Sequence, residues 1–299
     1  MWYAQHRKKR ILPVKVVDYF SGWDEDMTVM RLLSQEYDLR YTDQPNLVFC
    51  QQFGDAHKEY DCPKVFCAGE PWGLNGSSCD LLVTFEYEES DNAIRFPLYG
   101  YYFPDTSLCK RITHETALEI LAKKTKFCNF VYSNGGPHER IEFMKRLSQY
   151  KPVDCSGSVM NNTGVHMPGK HSGPEKVAFL ADYKFTIAFE NCVKIGYTSE
   201  KICAPMVANS LPIYYGNPEV HRDFNPRSFV NVHDFSSFDE AISKVIELDK
   251  NDDLYAEMTM EPWLHGNVPS QYVDTCRLTS HLVRWIEERH LSLEPDTNF

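Results

Sequence analysis

The sequence predicts an α/β protein made of two Rossmann-like, doubly wound parallel sheets. Three observations predict it. Short β-branched and aromatic runs alternate with helical patterns over both halves of the chain, as crossover-linked parallel strands require. The length of 299 residues suits two domains at about 150 residues each. The composition, 42% hydrophobic and 24% charged, is that of an ordinary globular chain that buries a core without disulfides or metal.

Residues 11–20 (ILPVKVVDYF) read as the first strand, rich in β-branched and aromatic side chains. From 24 to 37, Met27, Met30, Leu33 and Tyr37 recur at helical spacing. Apolar stretches at 46–52, 64–68 and 80–85 continue the sheet, and a helix from 113 to about 124 closes this block. The second block opens with a strand at 127–133, a Gly135-Gly136-Pro137 turn and a helix at 138–150. A helix near 174–183, a strand at 184–189, a helix at 198–210 and a strand at 211–215 follow. Beyond 229–232 come helices at about 238–248, 253–261 and 272–288. The expected organisation is a first domain over 1–124, a second over 125–270, and a C-terminal helix over 271–299 packing back on the first. In such sheets ligands bind beyond the carboxyl ends of strands, where helix N-termini point. Functional residues are therefore sought just after strands.

Lys plus Arg number 31 against 42 Asp plus Glu, a net charge of −11, which excludes a general nucleic-acid binder. Any polyanionic ligand must be met by a few local cations. The apolar runs at 184–189 and 211–215 fall far short of the ~20 residues that cross a bilayer, so neither a span nor a signal segment is expected. The ten cysteines, among them Cys50, Cys67 and Cys128 in apolar runs, form no C-x-x-C pair. They are expected to be reduced thiols packing as small hydrophobes.

Dinucleotide, P-loop and nucleophile-elbow fingerprints are missing. His114-Glu115 and His138-Glu139 lack the second histidine of H-E-x-x-H, which excludes a zincin. Asp24-Glu25-Asp26 matches the D-x-D pattern by which some sugar transferases hold a divalent metal; an acidic first helical turn is the plainer reading. Arg140 lies one turn into a helix after a strand and a Gly-Gly-Pro turn. There a guanidinium beside free backbone N–H groups would clamp a phosphate, though pairing with Glu139 or Glu142 on a solvated face explains it as well.

The segment 184–201, KFTIAFENCVKIGYTSEK, is the most informative. A buried strand ends in Glu190-Asn191, a loop carries Tyr197, and Glu200-Lys201 open the next helix. A lysine is unfavourable at a helix N-terminus, so Lys201 suggests a bound anion. Glu200 could then accept two ribose hydroxyls while Asn191 and Tyr197 face a sugar, or Glu200 could simply charge the first turn. Glu70 follows a strand and sits between Gly69 and Pro71 with Trp72 close by. Apolar and aromatic neighbours would raise its pKa as a general base requires; capping a turn is the equal alternative.

These segments resemble the α-1,3/4-fucosyltransferases of glycosyltransferase family ten, the bacterial enzymes especially. The blocks that carry the likeness are Phe189-Glu190-Asn191, Tyr197-Thr198-Ser199-Glu200-Lys201, Pro212-Ile213-Tyr214-Tyr215-Gly216, and the stretch from Phe224 to Phe235 (FNPRSFVNVHDF). Weaker likeness reaches Phe130-Val131-Tyr132-Ser133-Asn134 with Arg140, and Gly69-Glu70-Pro71. Ser199 stands where threonine is commoner, and 204–210 lacks a glycine often found there. No heptad repeat or basic tail follows Glu287, so membrane association or dimerisation by that route is not expected.

The resemblance implies a GT-B fold, two Rossmann-like domains facing across a cleft, with acceptor binding in 1–124 and GDP-fucose binding in 125–270. It implies an inverting transfer of L-fucose from GDP-β-L-fucose to the 3-OH of an N-acetylglucosamine in a lactosamine-type glycan, as in a lipopolysaccharide O-antigen with a Lewis-type product. Glu70 would be the base. Arg140 and Lys201 would bind the diphosphate and stabilise the leaving GDP. Glu200 would hold the ribose, Asn191 and Tyr197 would contact fucose or phosphate, and Ser133 and Asn134 would help with the nucleotide. No tightly bound cofactor is implied; a divalent metal would stimulate without being essential. The expected location is the cytoplasm of a bacterium, with peripheral contact at the inner membrane through the basic run 6–10, although a solvated strand end explains that run more simply. Competing readings are a non-catalytic nucleotide-sugar or glycan-binding module, against which Glu70 and the cationic pair argue, and a transferase of another GDP-sugar or a metal-dependent one using Asp24 and Asp26.

Overall fold

A computed structural model describes residues 9–19, 28–72, 79–110, 112–164, 166–167, 173–289 and 291. The acidic triplet Asp24-Glu25-Asp26 lies outside the described residues. The chain divides into two compact units, 1–96 with 271–299, and 97–270. Each carries one fully parallel sheet with helices between its strands, the α/β class expected from the sequence.

The first unit holds β1 (Arg10–Val17), α1 (Thr28–Glu36), β2 (Tyr37–Tyr41), β3 (Leu47–Cys50), β4 (Lys64–Cys67), β5 (Leu81–Thr84) and β6 (Ala93–Arg95), in sheet order β2-β1-β3-β4-β5-β6. β3 and β4 are almost continuously apolar because both faces are covered: Leu47, Val48, Phe49, Val65 and Cys67 are all fully buried. The helical pattern expected through residue 37 stops at Glu36, and Tyr37 begins an edge strand in register with Arg10. Tyr-Asp-Leu-Arg-Tyr has the polar alternation of a half-covered edge. β6, three residues long, gives no sequence pattern.

The C-terminal helix α9 (Thr275–Glu288) belongs to this unit and buries Leu278, Leu282, Trp285 and Ile286. Asp274 caps it, accepting from the N–H groups of Cys276 and Arg277. Its last turn is tied to the start of the sheet: Glu287 accepts both Arg10 guanidinium nitrogens and the Tyr37 hydroxyl. Lys9 donates to the Ser34 carbonyl at 2.7 Å. Of the basic run 6–10, the two described residues are thus engaged within the unit.

The second unit contains α2 (Leu98–Tyr102), α3 (His114–Ala122), β7 (Lys126–Phe130), α4 (His138–Leu147), β8 (Val153–Cys155), α5 (Pro174–Leu180), β9 (Tyr183–Phe189), α6 (Glu200–Val207), β10 (Leu211–Tyr215), β11 (Val230–Asn231), α7 (Phe238–Lys250) and α8 (Asp252–Met260). The sheet order is β11-β10-β9-β7-β8. Phe130, Phe143, Phe185 and Phe189 fill its core, with the Phe143 and Phe189 rings 5.0 Å apart. Each such ring contributes about 1.5–3 kcal/mol by burial.

The boundary falls at 96/97 rather than at 124/125. α2 packs on α6 and α3 on α8, Tyr99 meets Phe224 at 4.9 Å between ring centroids, and the Tyr99 N–H donates to the Thr198 carbonyl. Residues 97–124 therefore join the second unit. None of the ten cysteines is in a disulfide; Cys192 and Cys276 are exposed rather than packed in a core. Among the described residues no helix is long and apolar enough to cross a membrane, and no group of three or more His, Cys, Asp or Glu is arranged to hold a metal ion.

Candidate functional site

In the second unit the sequence-selected residues gather at the carboxyl ends of β7 and β9 and the N-terminus of α6. Ser199 is the N-cap, its hydroxyl accepting from the Lys201 N–H. Glu190, the residue after β9, has its side chain fully buried. One of its carboxylate oxygens accepts from the Ser199 N–H and the other from the Ser199 hydroxyl, both at 2.7 Å. The Lys201 ammonium is 3.5 Å from Glu190 Oε2, 3.8 Å from Glu200 Oε1 and 3.1 Å from Ser199 Oγ. Burial disfavours its charge, but Glu200 and Glu190 outweigh that and hold its pKa above the ordinary lysine value. Burial pushes the Glu190 carboxyl up, with Lys201 opposing.

This packing explains Gly216, at the end of β10. A Cβ there would lie 2.4 Å from Glu190 Cγ, so the buried carboxylate occupies the space that the glycine leaves.

Arg140 is 1% exposed, the opposite of a solvated helix face. Its guanidinium donates to the carbonyls of Asn134, Phe189 and Glu190 and to Asn191 Oδ1, the shortest contact being 2.7 Å to Glu190 O. It lies 4.1 Å from the Tyr132 ring centroid, a cation–π contact. Its Nε is buried without a hydrogen-bond partner, and among the described residues none of its contacts is a carboxylate. Arg140 also disfavours the charge of Lys201, and both cations act on the Tyr132 phenol. Burial raises that phenol's pKa to about 12, leaving it a neutral donor to the Ile187 carbonyl.

Asn191 is half-buried and held by Arg140. Tyr197 is 1% exposed, its ring enclosed rather than displayed. Glu200 is buried in the first turn of α6. Ser133 and Asn134 are exposed after β7, and Asn134 Oδ1 accepts from Gly136 N–H at 2.8 Å, closing the turn that leads into α4. Arg140, Asn191, Glu200 and Lys201 are thus brought together around Glu190.

Two members of this cluster escape sequence reasoning. Glu190 reads in sequence only as the end of a strand, and its role appears once its bonds to Ser199 are seen. Lys176 on α5 interacts electrostatically with Glu200, Lys201 and Glu190; burial lowers its pKa. The signal that could have found it is a lysine on a helix that precedes β9 and packs on α6.

In the first unit Glu70 lies just beyond β4, half-buried, with Pro71 buried and Trp72 52% exposed. The Gly69 N–H donates to Gln52 Oε1 at 3.3 Å. A Cβ on Gly69 would come within 3.0 Å of the Gln51 amide, so the Gln51 side chain packs directly against the backbone before Glu70.

The chain has clear relatives. Residues 14–102 match the alpha-(1,3)-fucosyltransferase FucT N-terminal domain, and residues 121–282 match glycosyltransferase family 10 (fucosyltransferase), C-terminal part. The alpha-(1,3)-fucosyltransferase FucT of Helicobacter pylori is 33% identical over 267 residues, 77% of this chain and 55% of that protein. GDP-fucose protein O-fucosyltransferase 3 of Xenopus tropicalis is 31% identical over 166 residues, 54% of this chain and 33% of that one. The chain thus spans about half the length of the first and a third of the second. A crystal structure of an alpha1,3-fucosyltransferase with GDP-fucose superimposes with a TM-score of 0.79 at 26% identity, covering 99% of this chain and 96% of the other. The fold class they share is GT-B. By two matched segments and one-third identity over most of its length, the chain belongs to glycosyltransferase family 10, the fucosyltransferases.

Proposed function

We propose that the protein transfers L-fucose from GDP-β-L-fucose to the 3-OH of an N-acetylglucosamine in a lactosamine-type glycan, with inversion at the anomeric carbon. The observation that carries this reading is Arg140, a buried cation beside Lys201 and a helix N-terminus that, among the described residues, has no carboxylate partner. A buried charge is costly unless compensated, and a diphosphate is the compensating group that the family's donor supplies. Membership of family 10 and the likeness to a fucosyltransferase bound to GDP-fucose support the same donor.

The Glu70 carboxylate takes the proton from the acceptor hydroxyl, and that oxygen forms the new bond to fucose C1. The bond from C1 to the diphosphate oxygen breaks, and GDP leaves with the electron pair. Lys201 and Arg140 stabilise the charge that grows on the diphosphate, the term that most enzymes of this kind rely on. Glu200 accepts from the ribose hydroxyls, Asn191 borders the fucose end, and the enclosed Tyr197 supports the loop that carries them. Ser133 and Asn134 contribute to nucleotide binding. Trp72 offers an exposed ring face for a sugar.

A second acceptor class, a hydroxyl on a protein, is favoured by the names of the vertebrate relatives. The test is GDP release from GDP-fucose in the presence of N-acetyllactosamine, with linkage analysis of the product. An α-1,3-fucosylated product is expected. Binding of GDP-fucose without turnover on glycan or polypeptide acceptors would instead identify a non-catalytic module, and turnover only with another GDP-sugar would reassign the donor.

A further inference from the structure

The carboxyl ends of β1, β3 and β4, adjacent strands of the first unit, carry Asp18, Gln51-Gln52 and Gly69-Glu70. Asp18 is engaged by the turn that follows β3. Its Oδ1 accepts from Ala56 N–H at 2.9 Å, and its Oδ2 accepts from His57 N–H at 2.9 Å and pairs with His57 Nδ1 at 2.6 Å. It anchors the turn at 56–59. Gln51 is buried against Gly69.

Gln52 is different. Its Oε1 accepts from the Gly69 N–H, which fixes which end of the amide is oxygen and which is nitrogen. The Nε2 end is shielded from solvent and, among the described residues, has no hydrogen-bond partner. A shielded amide donor left without an acceptor carries its full desolvation cost, which is recovered when an acceptor oxygen arrives. The side chain as a whole is only half-buried. The main-chain atom it grips belongs to the residue immediately before Glu70, and Trp72 is two residues further on. A donor, a carboxylate and an exposed ring face are what a sugar needs for one hydroxyl oxygen, one hydroxyl proton and its C–H face.

We propose that Gln52 is a specificity-determining residue whose Nε2 donates a hydrogen bond to an oxygen of the acceptor sugar while Glu70 takes the proton of the reacting hydroxyl. This rests on the reading of Glu70 as the base and of the acceptor as a sugar. The experiment pairs the wild type, Gln52→Met and Gln52→Glu with N-acetyllactosamine and its mono-deoxy derivatives at every position except the reacting 3-OH. The glutamate variant keeps an oxygen for Gly69 N–H but loses the donor, so it separates sugar recognition from backbone support.

One deoxy acceptor should lower the wild-type kcat/KM about tenfold, the size of one hydrogen bond of about 1.4 kcal/mol. In both variants that deoxy acceptor and the parent should be used equally well, the signature of a coupled pair, with the rise in KM confined to the acceptor. Wild-type ratios preserved in both variants at every position would overturn the proposal alone. No fucosyl transfer to N-acetyllactosamine by the wild type would overturn the functional reading and this proposal with it.

Discussion

Glu190 and Lys201 form an ion pair at 3.5 Å in which the carboxylate is fully buried and the ammonium side chain only 19% exposed. The same carboxylate accepts both donors of Ser199, so one side chain sets the cap of α6 and the position of its first cation. Glu190→Ala leaves Lys201 without that partner and Ser199 N–H without its acceptor. Breaking one side of such a pair is expected to cost about 3–5 kcal/mol. A lower urea midpoint, with weaker GDP binding by calorimetry, checks it; an unchanged midpoint would show the pair to be dispensable.

Arg140 and Lys201 differ in what holds each of them. Lys201→Ala is expected to weaken GDP binding about tenfold or more and, by leaving the buried Glu190 carboxylate without its cation, to lower the urea midpoint as Glu190→Ala does. Arg140→Lys keeps the charge but loses the fork that spans three main-chain carbonyls. It should lower the melting temperature as well as GDP affinity. Calorimetric titration with GDP and thermal unfolding of both variants separate the two effects.

Glu70→Ala should abolish transfer and leave GDP binding intact, because the residue belongs to a different unit from the cationic cluster. A lost general base costs about 10²–10⁴ in rate. Turnover at the wild-type rate would remove Glu70 from the mechanism.

The sequence made most of the framework readable, and the reasons are local. β9 and β10 are apolar, β-branched or aromatic runs that a parallel sheet covers on both faces, and the Ser-Glu-Lys start of α6 is a cap signal in its own right. β2 and β8 were not legible: each is short, and their neighbours decide their state. The solvated-face reading of Arg140 fails because helical spacing from Glu139 and Glu142 says nothing about carbonyls some fifty residues away in β9. In the sequence Gly216 is only the last residue of the block that starts at Pro212, and its constraint, the Glu190 side chain, appears in three dimensions. Gln52 offers no sequence signal at all, since an amide left without a partner is visible only in three dimensions.

Lys110, in the second unit, gives a pH dependence with a definite sign. Its ammonium sits 4.5 Å from the Trp263 ring centroid, and burial, with Lys124 adding repulsion, pulls its pKa down to about 7 from 10.5. The unfolded chain holds this proton up to about pH 10.5, whereas the folded protein gives it up above about pH 7. Between those values the unfolded state binds more protons, so the Lys110 contribution to stability rises with pH. Below pH 7 the folded state keeps a charge in a desolvated place and the contribution is at its lowest. Lys124, pulled down to about 8, has the same sign. Lys110→Met, which keeps an apolar stem on the tryptophan, should raise the urea midpoint at pH 7 and reduce its increase between pH 7 and 9.5. The difference between wild type and variant cancels groups that titrate equally in both; a difference that stays constant across that window would mean the ammonium remains charged against the ring.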